Sequence, residues 1–450
     1  MTLQRYEKYK ASGVEWLGDV PDHWQPISLK WVSHRYAGGT PDRSNDAYWD
    51  EGTIPWINSG AVNQELINEP SAFITEEGYR NSSAKYVPEG ALVMALAGQG
   101  KTKGMVAQTA IRTTCNQSMA AIVPRESTNP RYLYWLLDSQ YEHIRNMAGG
   151  EARDGLNLDI LGSIPCIRVP ENEQRAIADF LDRETVKMDT LMEKKRTLIG
   201  KLKEKRAALI SRTVTRSLPP DAARAAGFNP HPKLKSSGIE WLGDVPGHWD
   251  VPPLYTRYSL ELGKMLDESR ITGKHLIPYL RNVDVQWDRI NIDDLPEMDI
   301  QAHEYERYTL KQGDLLICEG GEVGRAAIFK NNGAVVGFQK ALHRLRPANQ
   351  NENSRFMFYT LCWASNIGVF LAEGNPNTIP HLTGERLRRY RFPCPALPEQ
   401  HAIADYLDRE TAKLDRMVEK VEAAIERLRE YRTALITAAV TGKIDVRKMS

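Results

Sequence analysis

Two long stretches of the chain have a series of positions spaced alternately by four and three residues, and most of these positions are apolar. In residues 171–217 the spaced apolar positions are Ile177, Leu181, Met188, Leu191, Leu198, Leu202 and Leu209. In residues 397–440 they are Ile403, Leu407, Leu414, Met417, Val421, Leu428 and Leu435. A stripe of this kind, kept over several heptads, is typical of a long helix that pairs with another helix. We therefore predict two long helices and take these positions as the seam between them.

The segments that precede the two helices have the pattern of mixed α/β domains. Ala91–Ala95, Ala120–Val123 and Asp314–Cys318 are short apolar runs near Gly and Pro residues, which is typical of buried strands. Tyr132–Asp138 and Phe356–Trp363 have the composition of short helices and occupy equivalent places in the two segments. We expect the two segments to share a fold and to differ on their surfaces.

Two phrases of the sequence occur twice. Ser12–Trp24 returns as Ser237–Trp249 with 11 of 13 residues identical, at an offset of 225 residues. Glu173–Thr185 returns as Glu399–Thr411, again with 11 of 13 identical, at an offset of 226. The stretches between the phrases look largely unlike each other. The chain therefore carries two copies of a frame, each of which holds a different insert.

We predict an α+β fold with an internal pseudo-two-fold axis. Two similar mixed α/β domains are joined by two long helices that pair as an antiparallel coiled coil. The predicted segments are a first domain at 1–170, a first helix at 171–217, a linker at 218–235, a second domain at 236–396, a second helix at 397–440 and a tail at 441–450. An object recognised by such a molecule should have two unlike halves.

Composition places the chain among globular proteins. Apolar residues make up 41% and charged residues 26%, and the net charge is only +1. The inserts are also close to neutral, because residues 26–170 carry 13 basic and 15 acidic side chains and residues 250–396 carry 18 of each. If either insert binds a polyanion, it must use a local basic patch or a partner protein. Arg386, Arg388, Arg389 and Arg391 form the densest basic cluster.

Several classes of protein are disfavoured by the sequence. The first residues lack the apolar run of a signal peptide, and the longest apolar stretch is too short to span a bilayer. The five cysteines are scattered without a C-x-x-C pair, which fits reduced thiols in the cytoplasm. No catalytic constellation, cofactor motif or metal-ligand cluster stands out. His23 and His248 lie inside a repeated phrase and are expected to pack locally.

One short segment matches a nucleotide-binding pattern. Ala95–Thr102 fits the loose form of a P-loop after a strand-like run, with Lys101 as its lysine. A P-loop needs a helix that begins at the Lys-Thr pair, whereas Gly104 follows almost at once and residues 105–111 resemble a strand. We interpret the segment as a Gly-rich loop that brings cations close to a polyanion. A P-loop NTPase that uses Lys101 remains the alternative from the class of enzymes.

Together the repeated phrases resemble those of specificity (S) subunits of type I restriction–modification systems. The resemblance includes Gly38-Gly-Thr-Pro41, Tyr48-Trp49 and Ile54–Ile57 in the first half and Ala439–Ile444 at the end. It implies a non-catalytic, cytoplasmic protein in which two target-recognition domains read a bipartite, asymmetric sequence of double-stranded DNA. It also implies that the paired helices dock two methyltransferase subunits and that two restriction (translocase) subunits then join. S-adenosylmethionine, ATP and Mg²⁺ would be bound by those partners, and no membrane would be involved.

The motifs of the resemblance mark the frame, so the DNA contacts have to be predicted from side-chain chemistry. Arg and Lys suit guanine edges and phosphates, and Asn and Gln suit adenine edges. The candidates, each in or near a Gly-rich stretch, are Lys101, Lys103, Arg153, Arg325, Lys340 and Asn375. A further alternative is an assembly scaffold, whose coiled coil recruits proteins without reading DNA. The near-neutral charge of the chain keeps that alternative open.

Overall fold

The structure is a computed structural model that describes residues 4–98, 100–147, 155–266, 273–330, 333–371 and 381–448. The chain forms two compact units. Unit 1 consists of Met1–Lys195 with Ala423–Ser450, and unit 2 consists of Arg196–Glu422. The division falls within both long helices, so each unit contains one part of each helix. The predicted segments differ in this respect, because they separate the helices from the domains.

Unit 1 is a mixed α/β domain. Its strands are β1 Tyr9–Ala11, β2 Asp19–Pro21, β3 Gln25–Ser28, β4 Ser33–Ala37, β5 Ile54–Ile57, β6 Leu66–Ile67, β7 Ala72–Ile74, β8 Tyr86–Val87, β9 Leu92–Ala95, β10 Val106–Thr109, β11 Thr113–Cys115, β12 Met119–Pro124 and β13 Pro165–Arg168. Its helices are α1 Leu29–Val32, α2 Glu76–Arg80, α3 Pro130–Asp138, α4 Tyr141–Asn146, α5 Leu158–Ser163 and the first part of α6, which spans Glu171–Arg216.

Two sheets form the body of unit 1. One has the strand order β4-β12-β9-β10-β6 and the other has the order β7-β5-β11-β8, with β5 and β11 parallel. The predicted strands at 91–95 and 120–123 correspond to β9 and β12, whose inner residues are buried because they face the core. The predicted helix at 132–138 lies within α3. Asn129 caps α3 by accepting hydrogen bonds from the N–H groups of Arg131 and Tyr132.

Unit 2 repeats this arrangement. Its strands are β14 Leu234–Ser236, β15 Asp244–Pro246, β16 Tyr258–Leu262, β17 Leu276–Leu280, β18 Val285–Gln286, β19 Arg289–Ile290, β20 Glu297–Asp299, β21 Leu315–Cys318, β22 Ala326–Ile328, β23 Gly337–Phe338 and β24 Leu342–Pro347. Its helices are the last part of α6, α7 Pro220–Ala225, α8 Tyr305–Tyr308, α9 Ser354–Asn366, α10 Gly384–Arg389 and the first part of α11, which spans Leu397–Val440. The last part of α11 belongs to unit 1.

The two sheets of unit 2 have the strand orders of those in unit 1, without counterparts of the edge strands β6 and β8 in the part of the chain that the structure describes. The order β16-β24-β21-β22 corresponds to β4-β12-β9-β10, and β20-β17-β23 corresponds to β7-β5-β11. The pair β17 and β23 is parallel, as β5 and β11 are. The predicted strand at 314–318 and the predicted helix at 356–363 are present as β21 and α9. The expectation that the two inserts share a fold is confirmed.

The segment at 218–235 is more ordered than a linker. It contains α7 and the start of β14, and Leu218 and Ala223 are buried in the apolar core of unit 2. Proline at the start of α7 suits the first turn of a helix, where its missing N–H is not needed. Two of the four prolines in this segment, Pro219 and Pro220, therefore begin a short packed helix.

The two long helices run in opposite directions in each unit. In unit 1, Asp189 of α6 is paired with Arg432 of α11 at 3.3 Å, and the start of α6 lies beside Arg447, which follows α11. In unit 2, Arg206 of α6 is paired with Asp415 of α11 at 2.9 Å, and Ser217, just after α6, bonds to Glu399 at the start of α11. The predicted antiparallel pair is confirmed.

The buried stripe of the helices departs from the predicted seam. Ile177, Leu181, Met188, Ile403, Leu407, Leu414 and Leu435 are buried, and Leu202, Leu209, Val421 and Leu428 are half-buried. Leu191, Leu198 and Met417 are 43%, 44% and 50% exposed, so their assignment to the seam was wrong. Met192 and Ile425 are buried instead. In a straight α-helix, positions seven residues apart differ in direction by about 20°. Over several heptads the residue that faces the partner helix therefore shifts to the next position in the sequence.

A buried carboxylate connects the two repeated phrases in unit 1. Glu173, in the first turn of α6, has a side chain only 4% exposed. It accepts hydrogen bonds from the Trp24 indole and the Tyr6 hydroxyl at 3.0 Å, and His23 Nε2 lies 2.8 Å from it. Arg447 lies 3.4 Å away. Burial and the Glu173 charge raise the pKa of Tyr6, so its hydroxyl stays protonated as a donor.

Unit 2 contains the same anchor. Glu399 accepts from the Trp249 indole at 3.0 Å and lies 2.9 Å from His248 Nε2, and the Ser217 hydroxyl donates to it as well. Ser217 adopts a left-handed conformation with φ 70°, close to the φ of 71° at Gly442 after α11. A non-glycine residue is strained there, and the bond to Glu399 offsets part of that strain. The expectation that both histidines pack locally is met by this geometry.

The other invariant residues of the second phrase also have matching roles. Gln174 accepts from the Asn129 N–H at 2.7 Å and donates to the Val169 carbonyl at 2.7 Å. Gln400 repeats this with Asn353 at 2.9 Å and Pro395 at 2.9 Å. Asp182 accepts from Arg131 and Trp135, and Asp408 accepts from Arg355 and Tyr359. The identity of the repeated phrases thus follows from one set of contacts made twice.

Replacing Glu173 should destabilise unit 1. We expect Glu173→Ala to lower the free energy of unfolding by about 3 kcal/mol, because it leaves several buried donors without an acceptor. Denaturant unfolding of the purified chain measures the change. Glu171→Ala is the matched control: its side chain is 64% exposed and pairs with Arg175 on the surface, so the loss should stay below about 0.5 kcal/mol. Equal losses in the two variants would contradict the anchor.

Candidate nucleic-acid interface

The Gly-rich loop around Lys101 does not form a P-loop. A turn follows Lys101, and the next regular element is strand β10, which begins at Val106. The loop is held from behind by α4, since Arg145 donates to the Gly100 carbonyl at 2.6 Å and the Tyr141 hydroxyl donates to the Lys101 carbonyl. Without a helix N-terminus at Lys101 there is no cradle for a nucleotide phosphate. The NTPase alternative is therefore not favoured.

The predicted contact residues fall into different environments. Lys101 and Lys340 are exposed and are available to a ligand. Lys103 is only 7% exposed, so the prediction that it contacts DNA is not supported. Arg325 is largely buried, and its guanidinium donates to the carbonyl and side-chain oxygens of Asn282 at 2.9 Å. Its guanidinium connects two loops and is not available for a contact with DNA. Arg153 and Asn375 lie outside the described residues.

The arginine cluster that follows the second insert is also largely occupied. Arg388 donates to the Leu260 carbonyl at 2.7 Å, and Arg391 donates to the Val251 carbonyl at 2.8 Å. Arg389 is paired with Glu385 one turn earlier on α10. Arg388 and Arg391 thus tie α10 and the segment after it to the rest of unit 2, whereas the Arg389–Glu385 pair lies on the exposed surface of α10 itself. Two members of the basic cluster, Arg388 and Arg391, therefore have a structural role.

A different basic surface surrounds Gly38 and Gly39 in unit 1. The Gly38 N–H donates to the Met119 carbonyl, and the Gly39 N–H donates to the Cys115 carbonyl. A Cβ on Gly38 would lie 2.1 Å from the Cys115 oxygen, so only glycine fits. The Trp56 indole donates to the Gly39 carbonyl at 3.0 Å. This close packing places strand ends β4, β5 and β11 side by side.

Three exposed cations near these strand ends lie over aromatic rings. We call Arg43, Lys85, Arg112 and Gln117 the Gly38 surface; all four are exposed. Arg43 lies 5.2 Å from the Trp56 ring, Lys85 lies 5.9 Å from Tyr36, and Arg112 lies 3.8 Å from Tyr86. The three cations have no acidic partner within the part of the chain that the structure describes. Stacking orients a guanidinium while its N–H edges remain free for phosphate or base edges.

Unit 2 has a different surface at the equivalent place. Gly263 approaches Gln339 as Gly38 approaches Cys115 and Asn116, so that a Cβ on Gly263 would lie only 2.2 Å from the Gln339 oxygen. Lys264, which follows it, is paired with Glu304, and Arg307 is paired with Glu261 at 3.1 Å. Lys340 makes no ion pair among the described residues. The two units thus present unlike arrays of charge on one topology.

Sequence reasoning misses the Gly38 surface because its cations come from separated parts of the insert. The visible signal is the Gly38-Gly39 pair with Trp49 and Trp56, which on sequence grounds indicates only the frame. The structure brings the arginines to those rings, and Arg43 also lies 5.1 Å from Trp49. The near-neutral charge of the insert is compatible with this local basic patch.

Among the described residues, no group of three His, Cys, Asp or Glu side chains could hold a metal ion. The helices described there also lack an apolar stretch of the length needed to span a membrane.

The family model described as "Type I restriction modification DNA specificity domain" matches residues 21–199 and 261–427. These two matches cover more than half of the chain. The chain belongs to this family. The predicted resemblance is therefore confirmed, and both matched segments run from an insert into a long helix.

The chain is also similar to curated proteins that are named type I specificity subunits. The chain is 31% identical over 189 residues to the type I restriction enzyme EcoR124I/EcoR124II specificity subunit of Escherichia coli, covering 41% of this chain and 43% of that protein. It is 26% identical to the MjaIX specificity subunit of Methanocaldococcus jannaschii, covering 40% of this chain and 41% of that protein. These alignments therefore span about two-fifths of each relative. The StySPI specificity subunit of Salmonella potsdam is 20% identical over 95% of this chain and 90% of its own length.

Solved structures of this kind share the fold. One is a chain from a type I R-M system studied for complex assembly and conformational transition, with a TM-score of 0.67, 17% identity and coverage of 94% of this chain and 98% of that one. Another is the HsdS subunit from Thermoanaerobacter tengcongensis, with a TM-score of 0.54, 18% identity and coverage of 94% and 98%. At these identities the likeness concerns the fold alone. The predicted fold class is confirmed.

The Gly38 surface can be tested by its salt dependence. We expect the triple variant Arg43→Ala, Lys85→Ala, Arg112→Ala to bind duplex DNA more weakly than the unchanged chain. If each cation neutralises one phosphate, the slope of log K against log salt should fall by about 0.9 per cation. Fluorescence anisotropy with a labelled duplex at several salt concentrations gives the slope. Arg175→Ala, an exposed change on α6, is the control, and an unchanged slope in the triple variant would place DNA elsewhere.

Proposed function

We propose that this chain is the DNA sequence-recognition subunit of a type I restriction–modification complex. The observation that carries the proposal is that the chain contains two units of one topology with unlike surfaces, each built on the same Trp–His–Glu anchor. Each unit would read one half of a bipartite, asymmetric double-stranded target. Specificity subunits contribute recognition and no catalysis, so we assign the chain a non-catalytic role.

The paired helices α6 and α11 would provide the docking platform for two methyltransferase subunits, and two restriction (translocase) subunits would complete the complex. S-adenosylmethionine, ATP and Mg²⁺ would be bound by these partners. Exposed apolar residues on the helices support this proposal, since the exposed fractions of Val186, Leu198 and Met417 are 63%, 44% and 50%.

We place the complex in the cytoplasm, where its DNA lies and where the five free cysteines would stay reduced.

Base discrimination by each unit would come from hydrogen bonds to base edges and from DNA shape. A good bidentate contact discriminates by about 1–3 kcal/mol. Phosphate contacts by cations such as those of the Gly38 surface would set the position of the duplex without selecting sequence. The scaffold alternative differs here, because it predicts no dependence on DNA sequence.

Exchange of one insert tests the modular role. We expect replacement of residues 26–170 by the matching insert of another family member to change one half of the methylated sequence and leave the other half unchanged, because each unit carries its own core and surface. Genome-wide mapping of methylated bases, in cells that carry the chain with its methyltransferase, measures this. The unmodified chain is the control.

Two outcomes would count against the proposal. Changes in both halves would show that the units do not read separately. Methylation that does not depend on the identity of either insert would favour the scaffold.

A further inference from the structure

The turn between β11 and β12 is equivalent to the turn between β23 and β24, and the hydrogen bonds fix the register. The Asn116 N–H donates to the carbonyl of Ile57 in β5, and the Gln339 N–H donates to the carbonyl of Leu280 in β17, both at 3.0 Å. Asn116 therefore corresponds to Gln339, and the next residue, Gln117, corresponds to Lys340. The two glutamines, Gln117 and Gln339, are therefore offset by one residue and are not equivalent.

The backbone of each turn is held tightly from one side. The Met119 N–H donates to the Asn116 carbonyl at 3.1 Å, and the Leu342 N–H donates to the Gln339 carbonyl at 3.0 Å. Gly38 and Gly263 press against these turns so closely that a Cβ would overlap the backbone in either unit. The following strands, β12 and β24, lie inside their sheets between two neighbours. The backbone that carries Gln117 and Lys340 is therefore held in place by hydrogen bonds and close packing.

The side chain presented differs between the units. Gln117 and Lys340 are both exposed, in contrast to the buried Cys115 and Phe338 two positions earlier. Gln117 accepts from the Thr40 hydroxyl, which orients its amide and leaves the NH₂ group and a second lone pair available. A glutamine amide can pair with both N6 and N7 of adenine, whereas a lysine ammonium suits the O6 and N7 acceptors of guanine.

The neighbours of the two turns suit contact with a duplex. Near Gln117, Arg43 lies on the Trp56 ring, whose indole is bonded to Gly39. Near Lys340, the Lys340 N–H donates to the carbonyl of Lys264 at 2.9 Å, and the Lys264 side chain is neutralised by Glu304. The first turn is therefore flanked by a cation that can hold phosphate. In the second turn Lys340 itself is the exposed cation.

We propose that Gln117 and Lys340 are the paired base-reading positions of the two units, with Gln117 selecting adenine in one half-site and Lys340 selecting guanine in the other. The inference rests on the proposed function and names residues for it. It requires that the two positions act independently, because each stands on its own unit. It also requires that their identities can be exchanged without loss of the fold, since both side chains are exposed.

Reciprocal substitution tests the assignment. Gln117→Lys and Lys340→Gln are each prepared in the complete complex with the methyltransferase partner, and methylated bases are mapped on a genome or a randomised library. We expect Gln117→Lys to change the preferred base at one position of one half-site, with roughly 5- to 150-fold change in preference, the range of a bidentate contact. Lys340→Gln should do the same in the other half-site only.

Controls separate base reading from other effects. Gln4→Lys in unit 1 and Lys233→Gln in unit 2 make the same chemical changes at exposed positions outside the turns and should leave the target unchanged. Thermal midpoints of all variants should match that of the unchanged complex. Conservative Lys340→Arg should keep guanine at its position, because arginine makes the same contact.

The outcomes distinguish the inference from the proposed function. If both turn variants keep the original target and preference, the base-reading assignment is overturned while the proposed function stands. A uniform loss of methylation at all sequences, with unchanged thermal midpoints, would overturn it in favour of phosphate contacts. If the unchanged complex itself methylates without sequence preference, the proposed function fails first.

Discussion

The structure depends on one buried carboxylate at the start of each long helix. Glu173 and Glu399 accept hydrogen bonds from a tryptophan indole and lie beside a histidine ring, and both partners come from the phrase that opens the same half of the chain. A buried carboxylate is costly unless donors surround it, so the residues around it cannot vary independently. This constraint explains why two distant phrases are repeated while the sequence between them is not.

The constraint separates the frame from the surfaces that the frame carries. The contacts of Glu173 and Gln174 fix where each insert begins, where it ends and how it meets its helix. The inserts share strand order and the close glycine approach at Gly38 and Gly263, because those features belong to the backbone. Exposed side chains such as Arg43, Gln117 and Lys340 do not support the core, so they are free to differ between units. Such freedom is what a recognition module requires.

Much of the fold followed from the sequence. The repeats, the long helices and the buried runs at β9, β12 and β21 are periodic or identical, and these signals survive without knowledge of packing. The predicted seam was wrong at Leu191, Leu198 and Met417. The prediction assumed a strict seven-residue repeat, whereas a straight helix has 3.6 residues per turn.

Prediction of the site was weaker. Lys103 and Arg325 lie in Gly-rich loops, but folding turns them inward, and loop composition does not reveal that direction. Arg43, Lys85 and Arg112 each lie on an aromatic ring from another part of the insert, which only the tertiary structure reveals. The equivalence of Gln117 and Lys340 needed hydrogen-bond register, which sequence alignment of unlike inserts cannot supply.

A double-mutant cycle between Trp24 and Glu173 tests the central claim most directly. Trp24→Phe, Glu173→Gln and the double variant are compared with the unchanged chain by denaturant unfolding. We predict a coupling free energy of about 1 kcal/mol or more, because the indole donor and the carboxylate act on each other. Additive effects of the two changes would contradict the claim, and the repeated phrases would then need another explanation.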